Sequence, residues 1–106
     1  MGQFKVIKAR RLVDGTGEDP KENVVIVISD NLIYDIGNQD QISYPDDAEV
    51  YDLGEKTVMP GMIDAHMHFF TVPSHQLYLM ANESESYRAL RGASEAEKML
   101  NAGITS

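Results

Sequence analysis

Hydrophobic positions change their period once along this chain, near residue 58. Before that point apolar residues come in short runs broken by turn formers. The run FKVIKARRLV, Phe4 to Val13, alternates around Val6 and Ile7, and DGTGEDP then places two glycines and a proline within seven residues. A β-branched run, NVVIVIS, is joined by Asp30 and Asn31 to LIYDIG. These patterns predict a strand, a loop and a hairpin. The polar stretch from Gln39 to Gly54 holds one more short strand, at Glu49–Asp52. The expected unit is small and antiparallel.

The second part begins with VMPGMIDAHMHFF, Val58 to Phe70. Read as a strand, it puts Met62, Asp64, His66 and His68 on one face and Ile63, Ala65, Met67 and Phe69 on the other. The next stretch, TVPSHQLYLMANESES, reads as a loop with a short helix near Gln76–Met80. A helix then runs towards Gly103, capped by Ser84 or Ser86, with Tyr87, Leu90, Ala93, Ala96 or Glu97, and Leu100 as its apolar stripe. Gly103 falls where a left-handed cap belongs, and GITS starts another β-branched run. Strand, loop, helix and strand in that order predict a βαβ crossover, the unit of parallel sheets and barrels.

Composition narrows the chemistry. With 9 Lys and Arg against 17 Asp and Glu, a formal charge of −8, the 106-residue chain has no basic patch for nucleic acid. It has no cysteine, so any metal must be held by nitrogen and oxygen. No apolar run reaches the roughly 20 residues of a membrane span or forms a signal-peptide core, and a cytoplasmic protein is expected.

Asp64, His66 and His68 carry the only concentrated chemistry. Histidines two apart on a strand face lie about 6.6–6.8 Å apart at Cα, close enough for both rings to reach one ion at roughly 2.0–2.1 Å. A His-x-His triplet alone is a weak motif, and the bland reading is a pair of surface or satisfied partly buried histidines. Pro60-Gly61 before it, the apolar opposite face and the crossover after it favour a site at a strand's C-terminal end, where barrel enzymes place their chemistry. Asp64 is then a supporting or structural residue.

The stretch VMPGMIDAHMHFF resembles the first barrel strand of the amidohydrolase superfamily. KARRLVDGTGEDP, VVIVISDNLIYDIG, VYDLGEKTVMPG and AEKMLNAGITS resemble their counterparts in order and spacing, most closely those of the imidazolonepropionase-like and prolidase-like branch. The resemblance implies a mixed α/β chain: residues 1–58 as the N-terminal segment of a β-sandwich domain, and residues 59–106 as the first βα unit of a TIM (β/α)8 barrel, truncated. It implies a metal-dependent hydrolase of amide or other C–N bonds, with one or two divalent ions, usually zinc. His66 and His68 match the pair that binds the more buried metal; Asp64 matches an aspartate that is not a ligand.

The resemblance also implies a bridging lysine, two further histidines and a catalytic aspartate on later strands. The five lysines, at positions 5, 8, 21, 56 and 98, fall in the β unit or on the helix, and the remaining histidine, His75, falls in a loop. His75 is a candidate substrate contact, against the commoner reading of a solvated loop residue. The expected partners are a small-molecule or peptide-like substrate, the rest of the barrel as a separate chain, or a second copy in a homo-oligomer. Neither nucleic acid nor a membrane is expected. On its own the chain is expected to be inactive, and the competing reading is a non-catalytic β-rich interaction module or a cleavage product.

Overall fold

The computed structural model describes residues 3–69 and 77–106. The chain divides into two compact units, Met1–Pro60 and Gly61–Ser106. Among the described residues they make a mixed α/β chain with one sheet and one α-helix.

The first unit is organised around β1, Phe4–Leu12. Strand β2, Lys21–Ser29, pairs with it antiparallel from Phe4 against Ser29 to Leu12 against Lys21. The loop between them turns at Gly15 and Gly17, both with positive φ of 81° and 87°, a conformation costly for any residue with a Cβ. Asp30 and Asn31 connect β2 to β3, Leu32–Asn38, with a register shift at Val27/Ile28 that bends the hairpin.

The other edge of β1 corrects the antiparallel expectation. Strands β4, Glu49–Asp52, and β5, Thr57–Val58, both pair with β1 in parallel, giving the order β3-β2-β1-β4 with β5 also on β1. Residues 39–48 carry the chain across the sheet, so β4 returns in the direction of β1 rather than against it. A turn at Gly54, with φ of 58°, separates the two short strands. It stays bonded to β1: Leu53 N–H donates to the Lys8 carbonyl and Arg10 N–H to the Gly54 carbonyl, each at 2.9 Å. Parallel pairing needs a crossover, which strand patterning by itself does not reveal.

Alternate residues of β2 face opposite sides of the sheet. Val25 and Val27 join Val6 in one buried cluster, covered by Phe4, Ile42, Tyr44 and Ala48. Val24 and Ile26 join Leu12 in the other, with Ile7, Ile28 and Val58 at its margin. At the sheet's edge Leu32, Ile33 and Tyr34 are 65–71% exposed. At one end of β1, Glu22 accepts from Arg11 Nε at 2.8 Å and from Arg10 Nε at 3.3 Å. Nearby, Asp14 accepts from Lys21 Nζ at 2.7 Å and from the Thr16 hydroxyl at 2.6 Å. The Lys21 ammonium, and after it the Thr16 hydroxyl and amide, hold the Asp14 carboxyl well below the usual carboxylate range.

In the second unit, a 3₁₀ helix at Leu77–Asn82 precedes α1, Glu85–Asn101. Ser84 caps α1, its Oγ accepting from Tyr87 N–H at 3.2 Å. The helix ends in a Schellman pattern: Ile104 N–H donates to the Met99 carbonyl and Gly103 N–H to the Leu100 carbonyl, both at 3.0 Å, with Gly103 at φ 90°. The packed side of α1 differs from the apolar stripe expected for it. Tyr87, Leu90 and Leu100 are 57–72% exposed, whereas Gly92 is buried and Arg88, Arg91, Glu95 and Met99 are half-buried. On that side Arg91 pairs with Glu83 and lies 5.1 Å from the Tyr87 ring centroid. No helix among the described residues is long and apolar enough to cross a membrane.

Two outcomes follow. Val25 is fully buried, so Val25→Ala should destabilise the chain by about 2–3 kcal/mol, against under about 0.5 kcal/mol for Leu32→Ala, read as a shift in urea midpoint at constant slope. Because its folded pKa is depressed, Asp14 adds stability that is present above the unfolded carboxyl pKa, about 3.9, and lost as pH falls through the lower folded value. The stability gap between wild type and Asp14→Asn should be constant from about pH 7 to pH 5 and close below about pH 4, followed by urea unfolding across pH.

Candidate metal centre

The segment carrying the histidines is held by a short parallel ladder. Met62 bridges Ile104, with Met62 N–H donating to the Gly103 carbonyl at 2.8 Å and Thr105 N–H to the Met62 carbonyl at 2.9 Å. Asp64 N–H donates to the Ser106 carbonyl at 2.9 Å. The segment from Met62 and the segment after α1 therefore run side by side, joined through the helix.

The expected strand does not continue to Phe69. Among the described residues no regular strand follows Met62, and the chain bends at Ala65 and His66. Asp64 Oδ1 accepts from His66 N–H at 3.0 Å, a two-residue side-chain turn of the kind by which aspartate draws backbone away from a ladder. Aspartate chemistry thus overrides the apolar alternation.

With the bend, Asp64 leaves the face expected for it: together with Met67 and Phe69 it lines a cleft of about 530 Å3 against Met99, Leu100 and Ile104. The imidazoles of His66 and His68 meet each other instead, with Nε2 to Nε2 at 2.8 Å and ring centroids 4.9 Å apart at 53°. That contact needs one ring to carry its proton on Nε2 and the other to present a lone pair there.

The donor set fits half of a metal site. Two nitrogens on a tetrahedral ion at 2.0–2.1 Å lie about 3.3–3.4 Å apart, so the rings need to open by only roughly half an ångström from their present contact. Both rings are exposed, and no group of three or more His, Cys, Asp or Glu converges among the described residues. Asp64 touches the His66 backbone rather than joining the two rings. His75 lies outside the described residues.

Over 87 residues, 77% of its length, the chain is 33% identical to an imidazolonepropionase from Geobacillus sp. (strain WCH70). It is 31% identical over 77 residues to the imidazolonepropionase of Pyrobaculum arsenaticum. The fold is similar to that of a Xaa-Pro dipeptidase solved with methionine in its active site, at a TM-score of 0.80 and 27% identity over 97% of this chain and 25% of that one. This chain belongs to the amidohydrolase superfamily. It spans 19% and 18% of the two curated amidohydrolase relatives. No protein-family model matches it.

Within this amidohydrolase chain the Asp64 turn has a direct check. Asp64→Ala removes the acceptor of His66 N–H, and amide exchange at His66 should speed up by about five- to tenfold while the amides of β1 and β2 are unchanged, as followed by NMR hydrogen exchange.

Proposed function

We propose that this chain is the histidine-bearing N-terminal portion of a metal-dependent hydrolase acting on amide or other C–N bonds of small or peptide-like substrates. The observation that carries this reading is the meeting of His66 Nε2 and His68 Nε2 at 2.8 Å, in a chain of this superfamily. In the same reading residues 1–58 contribute to a β-sandwich and residues 59–106 open a (β/α)8 barrel. The parallel pairing of Met62 with Ile104 through α1 supports this, as the connection a barrel repeats.

His66 and His68 would hold a divalent ion; two imidazoles suit zinc, and with no cysteine in the chain they would hold it through nitrogen. When bound, such an ion lowers the pKa of a water towards about 7 and polarises the carbonyl under attack. The chain's own contribution is placement. The ladder from Met62 to Asp64 fixes where the segment starts, and the Asp64 turn orients the His66 backbone. Met67 and Phe69, turned towards α1, leave the two rings on the other side. Catalytic zinc sites use about three protein ligands, so these two nitrogens need ligands from further sequence, and the isolated chain should bind metal weakly.

In the longer protein carrying this chain, metal analysis should find one or two divalent ions per chain. His66→Ala and His68→Ala should each remove metal and abolish hydrolysis of amide substrates. Asp64→Ala should weaken metal affinity by about 10–100-fold, as expected of a group that orients a ligand. Full hydrolysis in the double histidine variant, with no metal in the parent protein, overturns the reading; neither metal nor hydrolysis in the parent protein favours a non-catalytic module.

A further inference from the structure

Gly61 is not a glycine for reasons of backbone conformation. Gly15, Gly17, Gly54 and Gly103 have positive φ and Gly61 does not, so a left-handed backbone is not what calls for glycine there. What excludes one is space. A Cβ built on Gly61 would fall inside the van der Waals surface of Thr105 Oγ1 and Cγ2, and 2.8 Å from Thr105 Cβ. Rotating Thr105 about χ1 moves Oγ1 and Cγ2 but leaves its Cβ in place. Real Cβ contacts essentially never fall below 3.0 Å and ordinary contact starts at 3.4 Å, so the two segments would have to part by at least about 0.2 Å, and by about 0.6 Å to reach ordinary contact.

These two residues lie within the ladder that places the histidines. Thr105 N–H donates to the Met62 carbonyl at 2.9 Å, and Met62 N–H and Asp64 N–H donate across the same gap at 2.8 and 2.9 Å. Parting the segments to ordinary contact takes these bonds beyond the usual 2.7–3.2 Å range. Asp64 belongs to the ladder through its own N–H and to the turn through its Oδ1, so a shift at Gly61 passes to His66 by covalent and hydrogen-bonded steps.

We propose that the missing side chain at Gly61, filled by Thr105, is a positioning device that sets the approach of His66 and His68. Its importance for hydrolysis rests on the metal-site reading above; the geometric claim does not. Neither residue touches the rings, and both act through the backbone.

The test uses the 106-residue chain labelled with 15N-histidine. The readout is the through-hydrogen-bond coupling between the two Nε2 atoms, which global stability alone does not create. Gly61→Ala should abolish the coupling, and Gly61→Ala combined with Thr105→Gly, which removes the obstructing Cβ, should restore it. Persistence of the coupling in Gly61→Ala overturns the proposal, as does failure of the double variant to regain it. If Gly61→Ala unfolds residues 61–106, the double variant still decides: recovered fold and coupling support the proposal, and continued loss overturns it. Metal and hydrolysis play no part in this measurement, so failure of the hydrolase reading would leave its result standing.

Discussion

Backbone pairing, more than side-chain burial, holds the elements of this chain in place. Strand β1 is bonded along both edges, to β2 on one side and to β4 and then β5 on the other. The second unit depends on a much smaller version of the same constraint, the bonds that tie Met62 and Asp64 to residues 103–106. Where the ladder ends, the chain turns on a side-chain acceptor instead, Asp64 Oδ1. The Asp64 turn is the local result, and the convergence of the two imidazoles follows from it.

Side-chain burial is concentrated by comparison. Valines of β1 and β2 supply most of the fully buried volume, while Leu32, Ile33 and Tyr34 on β3 and Leu90 and Leu100 on α1 remain largely exposed. The chain therefore presents apolar surface in both units. That fits a polypeptide spanning 18–19% of the length of its curated relatives, and it explains why short ladders and caps carry so much of the local order.

The features legible in the sequence were those set by neighbours in the chain. Glu49–Asp52 as a strand, the Asp30-Asn31 connection, Ser84 as a cap and Gly103 as the helix stop all follow from local residue chemistry. Partner choice was hidden: nothing in EVYD says that it pairs in parallel with β1, because direction depends on the path of residues 39–48. The side of α1 that packs was hidden too, since it carries Gly92 and the Arg91 pair with Glu83 rather than the apolar stripe. At the candidate site the residue types were plain, and alternation placed His66 and His68 together. The means was different, a bend closed by Asp64 rather than a continuous strand. Pro60-Gly61 looked like turn punctuation, whereas Gly61 leaves room for Thr105.

The helix stop has a consequence for how this segment can change in length. Gly103 ends α1 with its left-handed φ and also offers the carbonyl that receives Met62 N–H, so the phase of the helix and the register of the ladder share one residue. Removing a single residue within α1 would turn everything after it by about 100° and draw it back by about 1.5 Å. The carbonyl would then point away from Met62. Insertions and deletions in this stretch are thus confined to near-whole turns, and α1 works as a ruler whose graduations are set by helical pitch.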